Sequence, residues 1–378
     1  MIDRLLADSI RQKLASGKAI VLTGARQTGK TTLLRALFGG DERAVWLNGD
    51  EPDVRALFEN ITSTRLKAIL GDKTLLVIDE AQRIADIGLK LKLVTDSLPD
   101  VQVVATGSSS FDLANLLNEP LTGRKWEFRL HALSFAEMVA HHGLLDERRL
   151  LPHRLVYGYY PDVVTHAGEE RERLTALADS YLYKDILSFE QIKKPEKLNK
   201  LLQALALQIG SQVSYNELGQ LCGLDTKTVE KYIGILEKAF IVFRLGSFAR
   251  NLRNELKFSR KIYFCDNGIR NAVLANFAQP EARADVGLLW ENLMVSERRK
   301  LLDYRRDPAN TWFWRTAQQK EIDYLEEKDG HIDAWEFKWN PSANPRQPTQ
   351  FLKAYAGSGF KVVHPENYEE FLTVSKVD

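Results

Sequence analysis

The eight residues from Gly24 to Thr31 have the spacing of a phosphate-binding loop. The segment reads Gly-Ala-Arg-Gln-Thr-Gly-Lys-Thr, which fits the pattern G-x-x-x-x-G-K-[ST] at each fixed position. The two glycines let the backbone turn sharply and direct its N–H groups at phosphate oxygens. We expect Lys30 to reach the β- and γ-phosphates of a nucleoside triphosphate and the Thr31 hydroxyl to ligate Mg²⁺. An ordinary glycine turn before a helix is the alternative.

The sequence on either side of this loop suits the same chemistry. The apolar run from Ala19 to Leu22 predicts a buried strand before the loop, and residues 32–38 predict a helix after it. The N-terminus of that helix would add a partial positive charge beside a bound phosphate. The residues predicted to bind nucleotide are Gly24, Ala25, Arg26, Gln27, Thr28, Gly29, Lys30, Thr31 and Thr32.

A second apolar run, residues 75–78, ends in two acidic residues. We expect Asp79 to hold Mg²⁺, directly or through water. Glu80 would orient and deprotonate the attacking water. The alternative is a strand that runs into an acidic surface turn.

Three further residues are candidates for contact with the reacting phosphate. A third apolar run, residues 101–105, ends at Thr106, and a polar side chain at such a strand tip can touch the γ-phosphate or the water; Thr106 or Ser108 is therefore a candidate sensor. Arg124 precedes a strand-like segment and could stabilise transition-state charge, within its own subunit or across a subunit boundary. A serine-rich strand exit and a structural salt bridge are the respective alternatives.

Composition limits the class of protein. The chain has 378 residues, enough for two or three domains, and its 44% hydrophobic and 27% charged residues are ordinary for a soluble globular protein. A net charge of +1 means that any basic face for nucleic acid must be local. The two cysteines have no disulfide or metal spacing, which suits a reducing compartment. No apolar run approaches membrane-spanning length and the early charges do not suit a signal peptide, so we expect a cytoplasmic protein without a membrane partner.

Residues 198–268 have the pattern of a winged helix. Ser214 to Glu217 predicts a capping box, and Asp225 predicts the start of a longer helix with an apolar stripe. The proposed wing, residues 247–261, carries a net charge of +4 from Arg250, Arg253, Lys257, Arg260 and Lys261 against Glu255. That charge suits contacts with the phosphates of double-stranded DNA. A lid or a protein-docking module is the alternative, because the exposed face of the longer helix is nearly neutral.

The C-terminal region predicts a hairpin that brings acidic residues together. An Asp329-Gly330 type I′ turn would pair Lys328 with His331. Counting outward places Asp323 opposite Glu336, and alternation puts Lys338 on the same face as Glu336. Two opposed carboxylates need a cation between them, and Lys338 with a divalent metal would supply it. Metal-dependent phosphodiester hydrolases use such a set.

Taken in chain order, five motifs resemble those of prokaryotic AAA-type ATPases whose C-terminal half is a conserved domain of unknown function. They are Gly24–Thr31, Ile78-Asp79-Glu80-Ala81-Gln82, Thr106-Gly107-Ser108-Ser109, Leu121-Thr122-Gly123-Arg124 and Leu133-Ser134-Phe135-Ala136-Glu137. The resemblance implies a cytoplasmic ATPase that uses ATP and Mg²⁺ and forms homo-oligomers.

A second resemblance concerns the C-terminal hairpin. The order Glu291, Asp323, Glu336-x-Lys338 is similar to that of the restriction-endonuclease-like nuclease core. It implies that Asp323 and Glu336 are metal ligands, Glu291 a supporting acidic ligand and Lys338 the catalytic lysine. The sequence departs from the motif because Ile322, not proline, precedes Asp323. A solvated amphipathic hairpin and a nuclease-like fold that does not cleave are the alternatives.

These interpretations divide the α/β chain into four predicted domains. They are an AAA-type P-loop NTPase domain with a parallel sheet (1–142), a helical connector (143–197), a winged helix (198–268) and a small restriction-endonuclease-like α/β domain (269–378). The expected function is ATP hydrolysis coupled to DNA binding or processing. The alternative is an ATP-dependent switch whose C-terminal domains bind protein partners and have no nuclease activity.

Overall fold

The structure is a computed structural model, in which the chain forms two compact units. The described residues are 1–107, 121–179, 192, 194–248, 260–316, 320–343, 345 and 347–373. The first unit consists of residues 1–133 with 238–240, and the second begins at Ser134 and resumes at Ile241. The four predicted domain boundaries remain predictions. Within the described residues, no helix combines the length and the apolar character needed to cross a membrane.

The first unit is built on a five-stranded parallel sheet. Its strands are β1 (Ala19–Thr23), β2 (Ala44–Asn48), β3 (Leu75–Asp79), β4 (Gln102–Gly107) and β5 (Lys125–Arg129), in the order β2-β3-β4-β1-β5. Its helices are Leu6–Arg11, Lys30–Phe38, Pro52–Glu59, Ser63–Leu70 and Ile87–Ser97. The predicted α/β fold with an N-terminal parallel sheet is confirmed.

The strand order brings the phosphate loop, the acidic end of β3 and Thr106 together at the carboxyl ends of the strands. All residues of β1 and β3 are buried, which explains their continuous apolar sequences. Strand β4 lies between β1 and β3, and its register pairs Ala105 with Ile78 and Gly107 with Thr23. Because the strands are parallel, the phosphate loop after β1 and the acidic residues at the end of β3 meet on either side of Thr106.

The second unit contains a seven-stranded mixed sheet. Its strands are β6 (Gln212–Val213), β7 (Val242–Ser247), β8 (Arg260–Phe264), β9 (Asn310–Arg315), β10 (Glu321–Lys328), β11 (His331–Phe337) and β12 (Gly359–Val363), in the order β12-β11-β10-β9-β7-β8-β6. Strands β7 and β9 are parallel neighbours. This pairing joins strands from two of the predicted domains in one sheet.

Twelve helices of the described chain accompany this sheet. They are Phe135–His142, Leu144–Arg149, Leu151–Tyr157, Pro161–Val164, Glu170–Ala178, Pro195–Leu207, Tyr215–Cys222, Thr226–Lys238, Asn267–Val273, Val286–Arg305, Thr349–Ala354 and Tyr368–Leu372. The helix Thr226–Lys238 starts as predicted, because Asp225 Oδ1 accepts a hydrogen bond from the Thr228 N–H at 2.9 Å. Its predicted apolar stripe is buried. Most of the predicted wing, including Arg250, Arg253 and Lys257, lies outside the described residues.

Strands β10 and β11 form the predicted hairpin. Lys328 pairs with His331, and both Asp329 and Gly330 have positive φ values, 51° and 82°, as a type I′ turn requires. On its other side β10 pairs with β9, and this register shifts between Ile322 and Leu325. The resulting bulge lets Ile322 and Leu325 enter the same apolar cluster although they are three residues apart. Asp323 therefore projects from a distorted part of the strand.

Candidate functional site

The phosphate loop joins β1 to the helix Lys30–Phe38 and needs glycine at both fixed positions. A Cβ atom on Gly24 would collide with the backbone carbonyl oxygen of Leu130. Gly29 lies at the N-cap of the helix in the left-handed conformation, with φ 90° and ψ 28°. Between them, Thr28 Oγ1 donates to the Ala25 carbonyl at 2.9 Å and closes the loop. The remaining predicted nucleotide-binding side chains, those of Arg26, Gln27 and Thr32, are exposed.

Lys30 is buried under the loop that it follows. Lys30 is 5% exposed, and its Nζ donates to the carbonyl oxygens of Gly24 at 3.0 Å and Ala25 at 2.8 Å. Burial lowers the pKa of Lys30 to about 8, although the negative charges of Glu80 and Asp79 oppose this change. The ammonium group is thus held inside the loop.

The affinity for ATP should fall above pH 8. Because the pKa of Lys30 in the free protein is lowered to about 8, its amine is mostly charged at neutral pH and binding there needs little proton uptake. At higher pH the free protein loses this proton while bound phosphates favour the charged amine, so the Kd should rise by up to about tenfold per pH unit. Calorimetric titration with ATP in EDTA, from about pH 6.5 to about pH 9.5, measures this. A constant Kd over that range would contradict the assignment of Lys30.

Thr31 and Asp79 provide the oxygens that a magnesium site needs. Thr31 Oγ1 donates to Asp79 Oδ2 at 2.8 Å, and Asp79 is 9% exposed. Hydroxyl and carboxylate oxygens are the ligands that Mg²⁺ prefers. These two residues would therefore hold the predicted metal ion, which would supply positive charge beside the bound phosphates.

Thr106 contacts the acidic residues. Its Oγ1 donates to Asp79 Oδ1, and the backbone N–H of Glu80 donates to the same Oγ1 at 3.0 Å. The hydroxyl therefore fixes the orientation of the Asp79 carboxylate and the start of the turn that carries Glu80. Its role as a phosphate sensor remains a prediction, and the other candidate sensor, Ser108, lies outside the described residues.

Glu80 lies just beyond β3 and begins a short 3₁₀ turn, Ala81–Arg83. Its backbone is left-handed, with φ 48° and ψ 41°, which is uncommon for a residue with a side chain. Its carboxylate accepts a hydrogen bond from Gln82 Nε2. The glutamine lies within the motif quoted above, but sequence analysis gave it no role. This hydrogen bond from Gln82 holds the Glu80 carboxylate in position next to the end of β3, where Asp79 lies.

Arg4 is a second residue that sequence analysis missed. Its Nη1 donates to the Thr28 carbonyl at 2.7 Å, and its Nη2 donates to the His131 carbonyl at 2.7 Å. The guanidinium group thus links the phosphate loop to the chain that leaves β5. Nothing local in the sequence marks this arginine, because its partners are 24 and 127 residues away.

Arg4→Ala should weaken ATP binding. The substitution removes the donor that holds the Thr28 carbonyl, and the freed loop must then be ordered by the nucleotide. The loss of one charge-assisted hydrogen bond, about 1.5–3 kcal/mol, predicts a rise in Kd of about tenfold or more. The Kd of the Arg4→Lys variant should lie between the values for the wild type and for Arg4→Ala. Calorimetry tests this, with Arg11→Ala as the control because Arg11 forms an exposed pair with Asp8. Equal affinities for the Arg4→Ala and Arg11→Ala variants would exclude the role.

Arg124 does not reach the phosphate site within its own subunit. Its carbonyl accepts from the N–H of Ala19, the first residue of β1, so Arg124 lies at the amino edge of the sheet, opposite the phosphate loop. Its Nε donates to Asp96 at 2.7 Å in a half-exposed salt bridge. The structure therefore corrects the prediction of a finger within the subunit and has the structural salt bridge instead. A role across a subunit boundary remains a prediction.

The second unit brings together the acidic residues predicted for a nuclease site. Strand pairing ends at Tyr324 and Trp335, so Asp323 and Glu336 are the next pair outward. Asp323 Oδ2 accepts from the Phe337 N–H at 2.8 Å, and Lys338 Nζ donates to Glu336 Oε1 at 2.7 Å. Burial and the charge of Asp323 raise the pKa of Glu336.

Glu291, from the helix Val286–Arg305, joins these residues and contacts β8. Its Oε1 accepts from Lys261 Nζ at 2.9 Å and from the Tyr263 hydroxyl at 2.6 Å. Burial and repulsion from Asp323 raise the pKa of Glu291 to about 7. The predicted set therefore comes together in space, with Lys261 as an additional member that sequence analysis had assigned to the DNA-binding wing.

The residues of this cluster do not fit a metal ion as they stand. Within the part of the chain that the structure describes, no three histidine, cysteine, aspartate or glutamate side chains are arranged to hold one. The Lys261 ammonium also lies 2.6 Å from Glu321 Oε1 and 3.8 Å from Asp323 Oδ1. The cation that the opposed carboxylates require is thus a lysine of the chain itself.

Comparisons with known families divide the chain into three matched segments. Residues 16–139 match an AAA domain. Residues 148–280 and 286–373 match two domains of unknown function, DUF8612 and DUF4143. The first segment covers the phosphate loop and the strand that ends in Asp79. The N-terminal part of the chain is thus similar in sequence to AAA domains.

Three bacterial proteins and one solved structure are among those similar to this chain. Uncharacterized proteins of Mycobacterium bovis and Mycobacterium tuberculosis are each 27% identical over 343 residues, which cover 88% of this chain and 73% of theirs. An uncharacterized protein of Haemophilus influenzae is 26% identical over 290 residues, 68% of this chain and 70% of its own. The Walker-type ATPase PABY2304 of Pyrococcus abyssi aligns with a TM-score of 0.50 at 16% identity, over 72% of this chain and 96% of its own. This last likeness concerns the fold.

Proposed function

We propose that the protein binds ATP with Mg²⁺ at the loop Gly24–Thr31 and hydrolyses it. The loop N–H groups and Lys30 would hold the phosphates, while Thr31 and Asp79 would hold the metal. Bound there, Mg²⁺ would neutralise charge on the β- and γ-phosphate oxygens. Glu80 would orient the attacking water and take its proton.

A single chain of hydrogen bonds carries this proposal. It runs from Thr31 through the Asp79 carboxylate to Thr106 and on to the Glu80 N–H. These residues come from the start of the helix Lys30–Phe38 and from the ends of β3 and β4, yet they form one network beside the buried Lys30. The protein's own hydrogen bonds orient these oxygens, and such positioning supplies most of the catalysis of phosphoryl transfer.

Phosphate release from ATP by the purified full chain tests the proposal. We expect turnover with MgCl₂ and none with EDTA. Thr31→Ala should lose turnover because it removes a metal ligand, whereas Thr95→Ala, on the helix Ile87–Ser97, should retain it. Magnesium-independent turnover, or equal turnover in both variants, would refute the site.

We also propose that residues 198–268 form a winged helix. In support, the helices Pro195–Leu207, Tyr215–Cys222 and Thr226–Lys238 are followed by β7 and β8, which pair with each other. The short strand β6 pairs with the other side of β8. This order of helices and strands is the one expected for a DNA-binding or protein-docking module.

The contacts of this region favour protein docking over DNA binding. Arg260 lies 3.5 Å from Glu230 of the longer helix, and Lys261 is buried among carboxylates. Two of the five basic residues counted for the wing therefore have acidic partners. Of these five, Arg250, Arg253 and Lys257 remain as candidates for contacts with DNA phosphates, since each such contact needs a cation.

A switch that couples ATP turnover to a protein partner is therefore the second candidate function. Turnover measured with and without duplex DNA separates the alternatives. We expect no stimulation and no salt-dependent DNA binding. Stimulation that is lost in Arg250→Ala or Arg253→Ala would instead support the DNA-binding function. The Lys238→Ala variant serves as the control, because Lys238 lies at the end of the longer helix, outside the proposed wing.

A further inference from the structure

A buried lysine occupies the centre of the acidic cluster in the second unit. The Lys261 side chain is 2% exposed, and its Nζ lies 2.9 Å from Glu291, 2.6 Å from Glu321 and 3.8 Å from Asp323. Because Lys261 belongs to β8, it reaches the hairpin strand β10 and the helix that carries Glu291 at the same time. Three elements of the fold therefore meet at this one amine.

The buried carboxylates of this cluster require a nearby positive charge. Burying an ionised carboxylate is costly unless an opposite charge and hydrogen bonds accompany it. Glu291 is 13% exposed and Asp323 is also 13% exposed, so water can compensate only part of their charge. Lys261 Nζ lies 2.6–3.8 Å from carboxylate oxygens of Glu291, Glu321 and Asp323, so the chain itself places a cation among these buried acidic groups. This amine fills the role that a divalent metal has in the nuclease arrangement.

The other groups around the amine are also already engaged. The Phe337 N–H donates to Asp323 Oδ2, the Tyr263 hydroxyl donates to Glu291 Oε1, and Lys338 donates to Glu336. Arg315 Nη1 lies 3.3 Å from Glu321 Oε2. A metal ion would have to displace the lysine and rearrange these hydrogen bonds, because a hard divalent cation needs several oxygens directed at one point.

We propose that Lys261 is the resident cation of this site, so that the second unit neither binds a catalytic divalent metal nor cleaves nucleic acid. The nuclease-like set Glu291, Asp323, Glu336 and Lys338 then acts as a structural ion-pair centre that joins β8, β10 and the helix Val286–Arg305. Replacing Lys261 by a neutral side chain converts the centre into a site for a divalent cation. The inference is independent of ATP hydrolysis, which concerns the first unit.

Manganese binding to the full chain tests this proposal without relying on an activity. Electron paramagnetic resonance titration with MnCl₂, without nucleotide, is carried out on the wild type and on Asp323→Asn. A difference in bound manganese between the two proteins reports on the second unit, because both proteins retain Asp79 in the first unit. We expect no difference up to about 1 mM, the weak end of protein sites for hard cations. Manganese bound by the wild type and lost in Asp323→Asn would overturn the proposal.

The converse experiment uses Lys261→Met, which keeps the length of the side chain and removes its charge. This variant should gain one manganese site with a Kd of about 10⁻⁴ M or lower, and Asp323→Asn in the same chain should remove it. Its thermal midpoint should rise with added MnCl₂, because a ligand that binds only the native state stabilises it. Lys320→Met, which removes an exposed lysine just before β10, is the matched control and should show neither effect.

Each outcome decides the question. If Lys261→Met folds and gains no manganese site, the amine does not stand in for a metal and the proposal fails. If Lys261→Met does not fold in the absence of manganese and folds in its presence, the proposal is supported. If it folds in neither condition, the wild-type comparison with Asp323→Asn decides alone. Magnesium- or manganese-dependent cutting of duplex DNA by the wild type, lost in Lys338→Ala, would also overturn the proposal.

Discussion

The Glu80→Gln variant should bind ATP with nearly unchanged affinity and lose most of its hydrolysis. Glutamine keeps the shape of the side chain and can still contact Gln82, but it cannot take a proton from water. General-base catalysis contributes about 10²–10⁴-fold, and kcat should fall by this factor. The backbone N–H of residue 80 still donates to Thr106, so the Asp79 carboxylate should keep its orientation.

Single-turnover measurement with excess enzyme separates the chemical step from nucleotide binding. Glu42→Gln is the matched control, because Glu42 is an exposed glutamate that precedes β2 and therefore lies away from the carboxyl ends of the strands. It should turn over ATP like the wild type. If Glu80→Gln also turns over at the wild-type rate, another group must be the base. If Glu80→Gln loses ATP affinity to the same extent as turnover, the residue supports binding instead.

Lys30→Ala should lose ATP binding itself. The ammonium is the one buried cation that the structure places inside the phosphate loop, 2.8 and 3.0 Å from two of its carbonyls. Charge-assisted hydrogen bonds contribute about 1.5–3 kcal/mol each, so the loss of contacts with two phosphates predicts a Kd at least about 10²-fold higher. Hydrolysis should then be absent at any practical ATP concentration.

Calorimetry with Mg-ATP, together with a thermal melt, measures the effect of Lys30→Ala. The melt matters because removing a buried amine leaves the Gly24 and Ala25 carbonyls without their donor. Lys67→Ala is the control, since Lys67 is an exposed lysine near the end of the helix Ser63–Leu70. A folded Lys30→Ala protein with wild-type affinity would remove the basis for the nucleotide site.

Local sequence predicted those parts of the structure that depend on neighbouring residues. The Asp329-Gly330 turn determines which residues face each other across β10 and β11, because only a type I′ turn has two positive φ angles and the matching twist. The phosphate loop and the acidic end of β3 follow from short motifs with specific chemistry. In each case the partners lie within the motif or one turn away.

Long-range partners could not be predicted in this way. Lys261 contacts Glu291 and Asp323, which come from a helix and a strand formed much later in the chain. Its position in a basic segment suggested a solvated wing, and the pattern of charge alone cannot separate an exposed lysine from a buried one. Arg4 is similar, since its carbonyl partners carry no side-chain signal at all.

Arg124 could have been placed correctly from the sequence. It immediately precedes β5, and a residue at the start of a parallel strand lies at the amino edge of the sheet. The phosphate loop follows the end of β1 and therefore lies at the carboxyl edge. The direction of the parallel strands thus excludes a contact between Arg124 and the phosphate loop of the same subunit, and this follows without any knowledge of side-chain geometry.

The parallel pairing of β7 with β9 has a practical consequence for anyone who shortens this protein. A fragment that starts at residue 269 would contain β9–β12 but lack β7, leaving the backbone of β9 with unsatisfied hydrogen-bonding groups along one side. Unpaired edge strands of this kind pair with other chains and cause aggregation. When expressed, the fragment that starts at residue 269 should therefore be insoluble. A fragment that begins at Ser134 retains the whole seven-stranded sheet.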